Sequence, residues 1–394
     1  MTLTLHDLLG DTTGDPRRRA TLAAMSATER PSRLHEISAI LTNLDAEDWL
    51  TFATRNRVEA IVSHALLEVE GPAAAGGRAQ QIHDAAEGRM RVMLGELDGV
   101  ATRLAAEGVP LVALKNAGIA RGIFPCAGCC PMGDVDTLVS KTRFRDAHRL
   151  ILEAGFELSS RAPDVEPADL EHGLGSGGTE YRKVSGGEEV WFELQWRAVA
   201  GRWIRSDQEP EPEALIARSI SIPGSDIRLL SPEDNMLQVC LHTAKHTYVR
   251  APGLRLHTDV DRLTTFTPPD WALFVDAVRS HAVQTPVYFS LAMAQALLAT
   301  PIPADVLAAL SPARWKREVV ARWLRRIDVF EPDARKFGRP DMMIFHALLY
   351  DTAAGLLASA LDTTPDQLLV PTALPRHAAR GVARMRDLVT RFQR

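Results

Sequence analysis

Two carboxylates stand close together in the segment Gly133-Asp134-Val135-Asp136, at the start of a predicted strand. Because side chains alternate along a strand, Asp134 and Asp136 project to the same face. Gly133 lets the backbone turn into the strand and leaves room for a ligand. Carboxylates held side by side repel each other unless a cation lies between them, and Mg²⁺ typically takes one or two carboxylates together with substrate phosphates. The motif therefore predicts a divalent-cation site for phosphate chemistry.

A third carboxylate is available in a second predicted strand, at Glu193. In residues 191–196 the alternation places Glu193 on the face opposite the apolar side chains of Phe192, Leu194 and Trp196. A charged residue inside an otherwise apolar strand is costly unless it is paired or bound to a metal. Three carboxylates on neighbouring strands would suit two-metal phosphoryl chemistry, in which the cations stabilise the attacking and leaving oxygens.

The elements that must position these carboxylates form a short stretch of strands and helices. A continuous apolar run at 109–114 predicts a buried strand. The residues Ser-Gly-Gly at 185–187 predict a hairpin. Further strands are predicted at 134–139, 156–160, 180–184 and 189–196, and helices at 80–107, 117–123 and 143–155.

Helical patterns flank this stretch on both sides. Asp45 is a predicted N-cap for a helix over 46–70, and Ser231 with Pro232 begins a helix that runs through His246. We therefore predict an α+β fold: an N-terminal helical region (1–86), a small mixed-sheet α/β core (87–200) and a C-terminal helical domain (201–394). Its other predicted helices are at 271–281, 285–298, 315–327 and 341–361.

Composition excludes several classes of protein. The 394 residues are 46% hydrophobic and 24% charged, which excludes a mainly disordered chain. The net charge of −5 argues against a long nucleic acid as partner. No apolar stretch reaches the ~20 residues of a membrane helix, and the N-terminus lacks a secretion signal. Four cysteines do not make a disulfide scaffold. We expect a cytoplasmic protein without a membrane segment, and composition predicts no particular oligomeric state.

The order and spacing of several motifs resemble those of the bacterial uncharacterised nucleotidyltransferase family, a branch of the DNA-polymerase-β-like nucleotidyltransferase superfamily. The resemblance covers about residues 30 to 265 and is densest between 110 and 200. The motifs are LVALKNAG at 111–118, FP at 124–125, PMGDVDTLV at 131–139, AGF at 154–156 and FELQW at 192–196.

This resemblance implies a nucleotidyltransferase fold with Asp134 and Asp136 as ligands of Mg²⁺ or Mn²⁺, and with an NTP as donor. Glu193 would complete a second metal site or act as base toward an acceptor hydroxyl. Lys115 would reach the nucleotide phosphates. Many families with this fold cradle those phosphates with a Gly-Ser or Gly-Gly pair, and Gly118 is the glycine that this chain offers there.

Three positions depart from the family pattern. The family usually has Lys-Gly where this chain has Lys115-Asn116, an arginine where it has Cys130, and a histidine where it has Gln195. The carboxylates are retained, so these departures bear on substrate placement more than on metal binding.

The helix that ends near residue 246 carries a second group of polar residues. His242 and His246 are four positions apart, with Lys245 beside them. That spacing can bind Zn²⁺ from one helix face, although no glutamate follows the first histidine as a zinc protease requires. Contact with phosphate or substrate, a metal site, and ordinary capped or surface histidines are the three interpretations.

Two acidic positions and one basic segment are predicted to be structural. Asp259 and Asp261 lie in a predicted helical region, where two residues at this spacing do not face each other, so we expect surface or salt-bridge residues. The arginine-rich segment 376–394 predicts a basic solvated helix, with an acidic partner, RNA or a phosphorylated peptide as the alternative.

Three cysteines form a C-x-x-C-C motif at Cys126, Cys129 and Cys130, just before the acidic strand. A structural Zn²⁺ site needs four nitrogen or sulfur ligands. No second cysteine pair or nearby histidine in the sequence supplies the rest, and Cys240 is far away along the chain. We therefore expect incidental, oxidation-sensitive loop cysteines, with a metal or redox role as the alternative.

These features favour a Mg²⁺-dependent enzyme that transfers a nucleotidyl group from an NTP to a small-molecule or peptide acceptor. Some members of the resembled family lie among natural-product and ribosomal-peptide tailoring genes, which makes such tailoring a candidate role. A glycosyltransferase of the same fold that uses a nucleotide sugar is one alternative. A non-catalytic nucleotide-binding module is the other, and metal titration distinguishes it from an enzyme.

Overall fold

The strands assemble into one mixed sheet in a computed structural model, which describes residues 3–124, 126–161, 170–199 and 208–362. The strands are β1 (Leu111–Ala113), β2 (Val135–Leu138), β3 (Glu157–Ser159), β4 (Gly178–Ser185), β5 (Glu188–Gln195), β6 (Ile220–Ser221) and β7 (Ile227–Leu229). Their spatial order is β3-β4-β5-β2-β1-β7-β6.

The central strand of this sheet is β2, and its neighbours run in both directions. It pairs parallel with β5 and antiparallel with β1, and β1 pairs parallel with β7. All four residues of β2 are buried, although two of them, Asp136 and Thr137, are polar. The hairpin between β4 and β5 is tight because Gly186 and Gly187 adopt positive φ angles of 55° and 82°, which glycine adopts without strain.

The N-terminal region is helical, as predicted. Asp45 accepts a hydrogen bond of 2.9 Å from the Asp48 amide and so caps a helix. The single helix predicted over 46–70 is wrong, because Arg57 takes a φ of 58° and divides it in two. The helices are α1 (Leu5–Leu9), α2 (Pro16–Met25), α3 (Arg30–Leu41), α4 (Ala46–Arg55), α5 (Glu59–Glu70) and α6 (Arg78–Ala106).

The remaining helices cover the sheet and form the C-terminal part. Ser231 accepts a hydrogen bond of 3.2 Å from the Asp234 amide, as expected of a helix cap followed by proline. The helices are α7 (Lys115–Gly122), α8 (Phe144–Glu153), α9 (Leu170–Ser176), α10 (Pro212–Arg218), α11 (Pro232–Lys245), α12 (Arg255–Phe266), α13 (Trp271–Ser280), α14 (Gln284–Leu298), α15 (Ala304–Leu310), α16 (Arg314–Arg325), α17 (Arg339–Leu349) and α18 (Ala353–Asp362).

The α+β fold class is confirmed, and the C-terminal part differs from prediction in two ways. It contributes β6 and β7 to the sheet, although no strand was predicted after residue 200; strands of two and three residues are too short to show a period. The helix predicted over 341–361 is two helices, α17 and α18. The basic segment 376–394 lies outside the described residues. None of the described helices combines the length and apolar character needed to cross a membrane.

Candidate active site

The three carboxylates meet at the centre of the sheet. Asp136 on β2 stands opposite Glu193 on β5 in the parallel register, and Asp134 immediately precedes β2. One oxygen from each carboxylate lies within 4.8 Å of the other two. Asp136 is only 5% exposed, whereas Asp134 and Glu193 are half-buried. The alternation of strand residues thus brings together the side chains expected to converge, and their roles as metal ligands stay a prediction.

Lys115 reaches this cluster from the start of α7. Its ammonium Nζ lies 2.5 Å from Asp136 Oδ1. Its backbone N–H donates a hydrogen bond of 3.2 Å to the side-chain oxygen of Gln238 on α11. Lys115 has a positive φ of 50°, a conformation that costs energy for a residue with a side chain and that surrounding contacts must hold. Burial alone would lower the pKa of Lys115, but the negative charges of Asp136, Glu193 and Asp134 outweigh it and raise that pKa.

Two further polar residues, Gln195 and Arg161, hold the aspartates. Gln195 Nε2 donates a hydrogen bond of 2.8 Å to Asp136 Oδ1. The Arg161 guanidinium donates to Asp134 and also lies 3.1 Å from Glu180 Oε1. Arg161 was missed in the sequence, because it lies 27 positions from Asp134 and only the pairing of β3, β4 and β5 brings the two together. No local spacing signals such a contact.

The buried position of Asp136 alters its acidity. Burial and the nearby charge of Glu193 raise the pKa of Asp136 and Lys115 lowers it, so that together they raise the pKa to about 6. Carboxylates that share a site repel each other, and such crowding is expected to raise at least one pKa in the cluster. The direction is as expected, but loss of solvent contributes more than repulsion does. The face around Asp136 is therefore largely closed to solvent.

The end of α11 forms a second side of the site. The rings of His242 and His246 pack edge to face, with centroids 4.7 Å apart, and both residues are half-buried together with Lys245. Burial and nearby lysine charges, including that of Lys115, lower the pKa of both imidazoles, and together they lower that of His246 to about 4. Both rings are therefore neutral at pH 7. Among the described residues no third possible ligand joins this pair.

The two glycines assigned to the site lie in different surroundings. A Cβ on Gly118 would lie 2.9 Å from the Ala113 carbonyl oxygen and 3.7 Å from Leu229, so glycine is needed there for packing of α7 on the sheet. A Cβ on Gly133 would meet nothing within 4 Å, which leaves open space beside Asp134. Contact of either glycine with a nucleotide stays a prediction.

Comparison with known proteins identifies the family of this chain. The model of the uncharacterised nucleotidyltransferase family matches residues 42–299, more than half of the chain. The chain belongs to this family. The match includes all three carboxylates, Lys115 and the end of α11. Membership indicates a nucleotidyltransferase that takes an NTP and usually a divalent metal. Comparisons with curated proteins and with solved structures find no match.

The departures of this nucleotidyltransferase from the family pattern have partners in the structure. Asn116 donates a hydrogen bond of 3.3 Å to Asp259 on α12. The sulfur of Cys130 accepts one of 3.0 Å from Arg262, also on α12. Gln195, where the family usually has histidine, still donates to Asp136. The departures therefore lie in contacts around the carboxylates and leave the carboxylates themselves in place.

The prediction that Asp259 and Asp261 are surface or salt-bridge residues holds for Asp259 as a salt bridge, but neither residue lies at the surface. They are 4% and 0% exposed, because α12 is surrounded by other helices. Asp259 lies 3.6 Å from the Arg262 guanidinium, so the salt-bridge half of the prediction holds for that residue. Asp261 accepts hydrogen bonds from the Ala27 amide and from the hydroxyls of Thr28 and Thr300. As expected from helix geometry, the two carboxylates have different partners.

The expectation that no histidine lies near the loop cysteines is also wrong. Cys126 Sγ lies 3.8 Å from Nδ1 of His64 and 3.5 Å from Nε2 of His83. These histidines are 62 and 43 positions away along the chain, on α5 and α6, so sequence spacing could not associate them with the C-x-x-C-C motif.

Proposed function

We propose that this nucleotidyltransferase moves a nucleotidyl group from an NTP to a hydroxyl, amine or phosphate of a small molecule or peptide, with Mg²⁺ or Mn²⁺ bound at Asp134, Asp136 and Glu193. The observation that carries the proposal is the convergence of three carboxylate oxygens within 4.8 Å of one another. Lys115 lies against this cluster, 2.5 Å from Asp136. The carboxylates can bind the metal and the lysine can bind the phosphates. The site therefore offers charges of both signs for a metal-bound polyphosphate.

The residues of the cluster fit a hard divalent cation. All three donors are carboxylate oxygens, the ligand type that Mg²⁺ prefers. Asp134 and Glu193 are partly exposed, so an ion can reach them from solvent. The charges of Lys115 and Arg161 neutralise the aspartates in the structure described. When bound, the cation would orient the donor and neutralise charge on the transferred phosphoryl group.

Lys115 is the residue that we expect to bind the donor phosphates. An ammonium on a flexible four-carbon stem can turn from one anion to another. In the structure its partner is Asp136, and a phosphate of the donor would take over that contact. Gln238 fixes the backbone of Lys115 and Gln195 fixes the carboxylate of Asp136, so both glutamines act as positioning residues.

His242 and His246 are suited to an uncharged part of the substrates. Because both imidazoles are neutral at pH 7, each can donate one hydrogen bond and accept another. Such groups recognise hydroxyls and ring nitrogens better than they bind phosphate. We assign them to the nucleoside or to the acceptor, and we assign Lys245 beside them to phosphate.

A small acceptor agrees with the charge of the chain. The net charge of −5 provides no general attraction for a long polyanion, whose binding depends on many basic contacts. A small molecule or a peptide needs no such attraction. Natural-product or ribosomal-peptide tailoring is the role we propose for a reaction of this kind.

Label transfer tests this proposal even while the acceptor is unidentified. The protein is incubated with Mg²⁺, a small-molecule and peptide extract, and each NTP labelled with ³²P at either the α or the γ phosphorus. Nucleotidyl transfer moves the α label into a new product and releases the γ label as pyrophosphate. A parallel reaction uses a nucleotide sugar labelled in the sugar.

The phosphorus label and the sugar label also distinguish the nucleotidyltransferase from the two alternative functions. Transfer of the α label that is lost in Asp134→Asn and is retained in Glu157→Gln, an exposed carboxylate on β3, supports the proposal. Transfer of the sugar label would replace it with a glycosyltransferase. Binding of NTP without dependence on a divalent cation, together with no transfer of any label, would replace it with a non-catalytic module.

A further inference from the structure

A group of four side chains lies apart from the carboxylates, where α5 and α6 contact the loop before β2. It consists of His64 on α5, His83 on α6, and Cys126 and Cys129 in the loop; we call it the His–Cys cluster. One potential ligand atom of each residue lies within 4.8 Å of those of the other three. Cys129 is only 1% exposed, and the other three are half-buried.

The distances in the His–Cys cluster match a tetrahedral zinc site. Zn–S bonds of about 2.3 Å and Zn–N bonds of about 2.0–2.1 Å place a sulfur and a nitrogen ligand roughly 3.6 Å apart in a tetrahedron. The measured separations from Cys126 Sγ are 3.8 Å to His64 Nδ1 and 3.5 Å to His83 Nε2. Two histidines and two cysteines also form one of the usual ligand sets of structural zinc.

The remaining ring nitrogens face carboxylates. Nε2 of His64 lies 3.7 Å from Glu68, and Nδ1 of His83 lies 3.8 Å from Asp84. A metal-bound histidine usually presents its second nitrogen to a carboxylate or carbonyl, which orients the ring and makes the ligating nitrogen more basic. Each ring is thus oriented with one nitrogen toward the thiols and the other toward an acid.

The loop is shaped to hold its cysteines in place. Residues Ala127–Cys129 form a short 3₁₀ turn, with a hydrogen bond of 3.1 Å from the Cys129 amide to the Cys126 carbonyl. A Cβ on Gly128 would lie 3.3 Å from the backbone nitrogen of Glu87, so glycine lets the loop lie directly on α6. The Arg262 guanidinium donates a hydrogen bond of 2.8 Å to the Cys129 carbonyl from the other side.

We infer that His64, His83, Cys126 and Cys129 bind one structural Zn²⁺ ion. Four protein ligands leave no open position, as in structural rather than catalytic zinc sites. The ion would join α5 and α6 to the loop that leads into β2, the strand that carries Asp136. The inference is independent of the reaction proposed above, because it concerns a different set of residues and a different metal.

Metal analysis of the full-length protein tests this inference. The protein is purified without a histidine tag in a reducing buffer, and bound metals are measured by mass spectrometry. We expect about one zinc per chain, as for other four-ligand structural sites. Cys126→Ser and Cys129→Ser should lose it. Cys130→Ser, a change in the same loop outside the cluster, should retain it. Asp134→Asn should also retain it, which separates this site from the carboxylates.

Cobalt substitution gives a second readout that needs no variant. Co²⁺ in the wild-type protein should show the strong visible absorption of a four-coordinate ion and sulfur-to-cobalt charge transfer in the near ultraviolet, and Zn²⁺ should remove both. Three results would overturn the inference: no bound zinc, unchanged zinc in the Cys126→Ser and Cys129→Ser variants, or a Cys126–Cys129 disulfide in the protein purified under reducing conditions.

Discussion

Gln195 donates its hydrogen bond to the same oxygen of Asp136 that the Lys115 ammonium contacts, at 2.8 Å and 2.5 Å. One carboxylate oxygen thus has two fixed donors. Gln195 lies two residues beyond Glu193 on β5, and strand alternation places both side chains on the same face. Because β5 is the parallel neighbour of β2, Gln195 can reach Asp136 from this face. The position where the family usually has histidine therefore takes part in holding Asp136.

Replacement of Gln195 should alter the acidity of Asp136. In Gln195→Leu the ionised carboxylate loses a donor worth about 1.5–3 kcal/mol, which raises its pKa by roughly one to two units. The rising limb of the pH–activity profile should then move to higher pH, whereas Gln195→His, which keeps an N–H donor, should shift it less. Equal profiles for the wild type and Gln195→Leu would show that the hydrogen bond does not position Asp136.

The aspartates should be essential for metal-dependent turnover. Asp134→Asn and Asp136→Asn keep the side-chain shape and remove the charge, so each should lower turnover on the order of 100-fold or more while circular dichroism stays unchanged. Calorimetric titration with Mn²⁺ and a non-hydrolysable NTP measures the loss of metal binding in parallel. Glu157→Gln is the matched control and should behave as the wild type. Full activity in either aspartate variant would exclude the motif from the reaction.

The buried carboxylate of Asp136 should make the free energy of unfolding depend on pH. The pKa of Asp136 is raised from 3.8 to about 6 in the folded state, so the folded state binds the proton more tightly than the unfolded state does. Asp136 therefore lowers the free energy of unfolding as pH rises from about 4 to about 6, by roughly 3 kcal/mol in total. Below pH 4 this loss is absent.

Comparison with Asp136→Asn isolates that contribution, because all other titrating groups are shared. Denaturant unfolding in EDTA between pH 4 and pH 7 should show the variant gaining stability relative to the wild type as pH rises. A constant difference over this range would mean that Asp136 is not shielded from water as the structure describes.

Prediction from the sequence succeeded where the position of a side chain is encoded within a strand or a cap. The convergence of Asp134, Asp136 and Glu193 was expected because alternation and the cost of a charge in an apolar strand are local signals. Asp45 and Ser231 were recognised as caps for the same reason. Contacts between elements that are distant along the chain could not be found in this way. Arg161, Gln238 and the histidines near Cys126 reach their contacts only through the packing of distant elements.

Lys115 should affect donor binding and the proton equilibrium of Asp136 together. In Lys115→Met the donor phosphates lose a charged contact, which should reduce kcat/KM for the NTP by about 10- to 100-fold. Because Lys115 favours the ionised form of Asp136, its loss should also move the rising limb of the pH profile upward. Lys115→Arg should restore activity only in part, since a forked guanidinium does not replace a compact ammonium.

Lys183→Met is the matched control for Lys115, because Lys183 on β4 pairs with Glu96 away from the carboxylates. Its kinetics should equal those of the wild type. A Lys115→Met variant with unchanged KM, kcat and pH profile would leave Lys115 as a structural partner of Asp136 alone.

Two glycine-to-alanine changes should have opposite effects on stability. Gly128→Ala pushes a methyl group against the backbone of α6 at 3.3 Å and should cost about 1–3 kcal/mol in the free energy of unfolding. Gly99→Ala, within α6 and with open space around it, should stabilise by about 0.5–1 kcal/mol through helix propensity. Thermal denaturation of both variants measures the difference. Gly128→Ala as stable as the wild type would show that the loop does not lie directly on α6.

The central place of β2 determines which parts of this protein can change independently. Three strands lie on each side of it, so fraying that begins at the outer strands β3 and β6 must pass through two more strands before it reaches Asp136. Local opening of the edges therefore leaves Asp136 in place. Mutations in the outer strands are therefore expected to leave the carboxylate cluster at the centre of the sheet assembled.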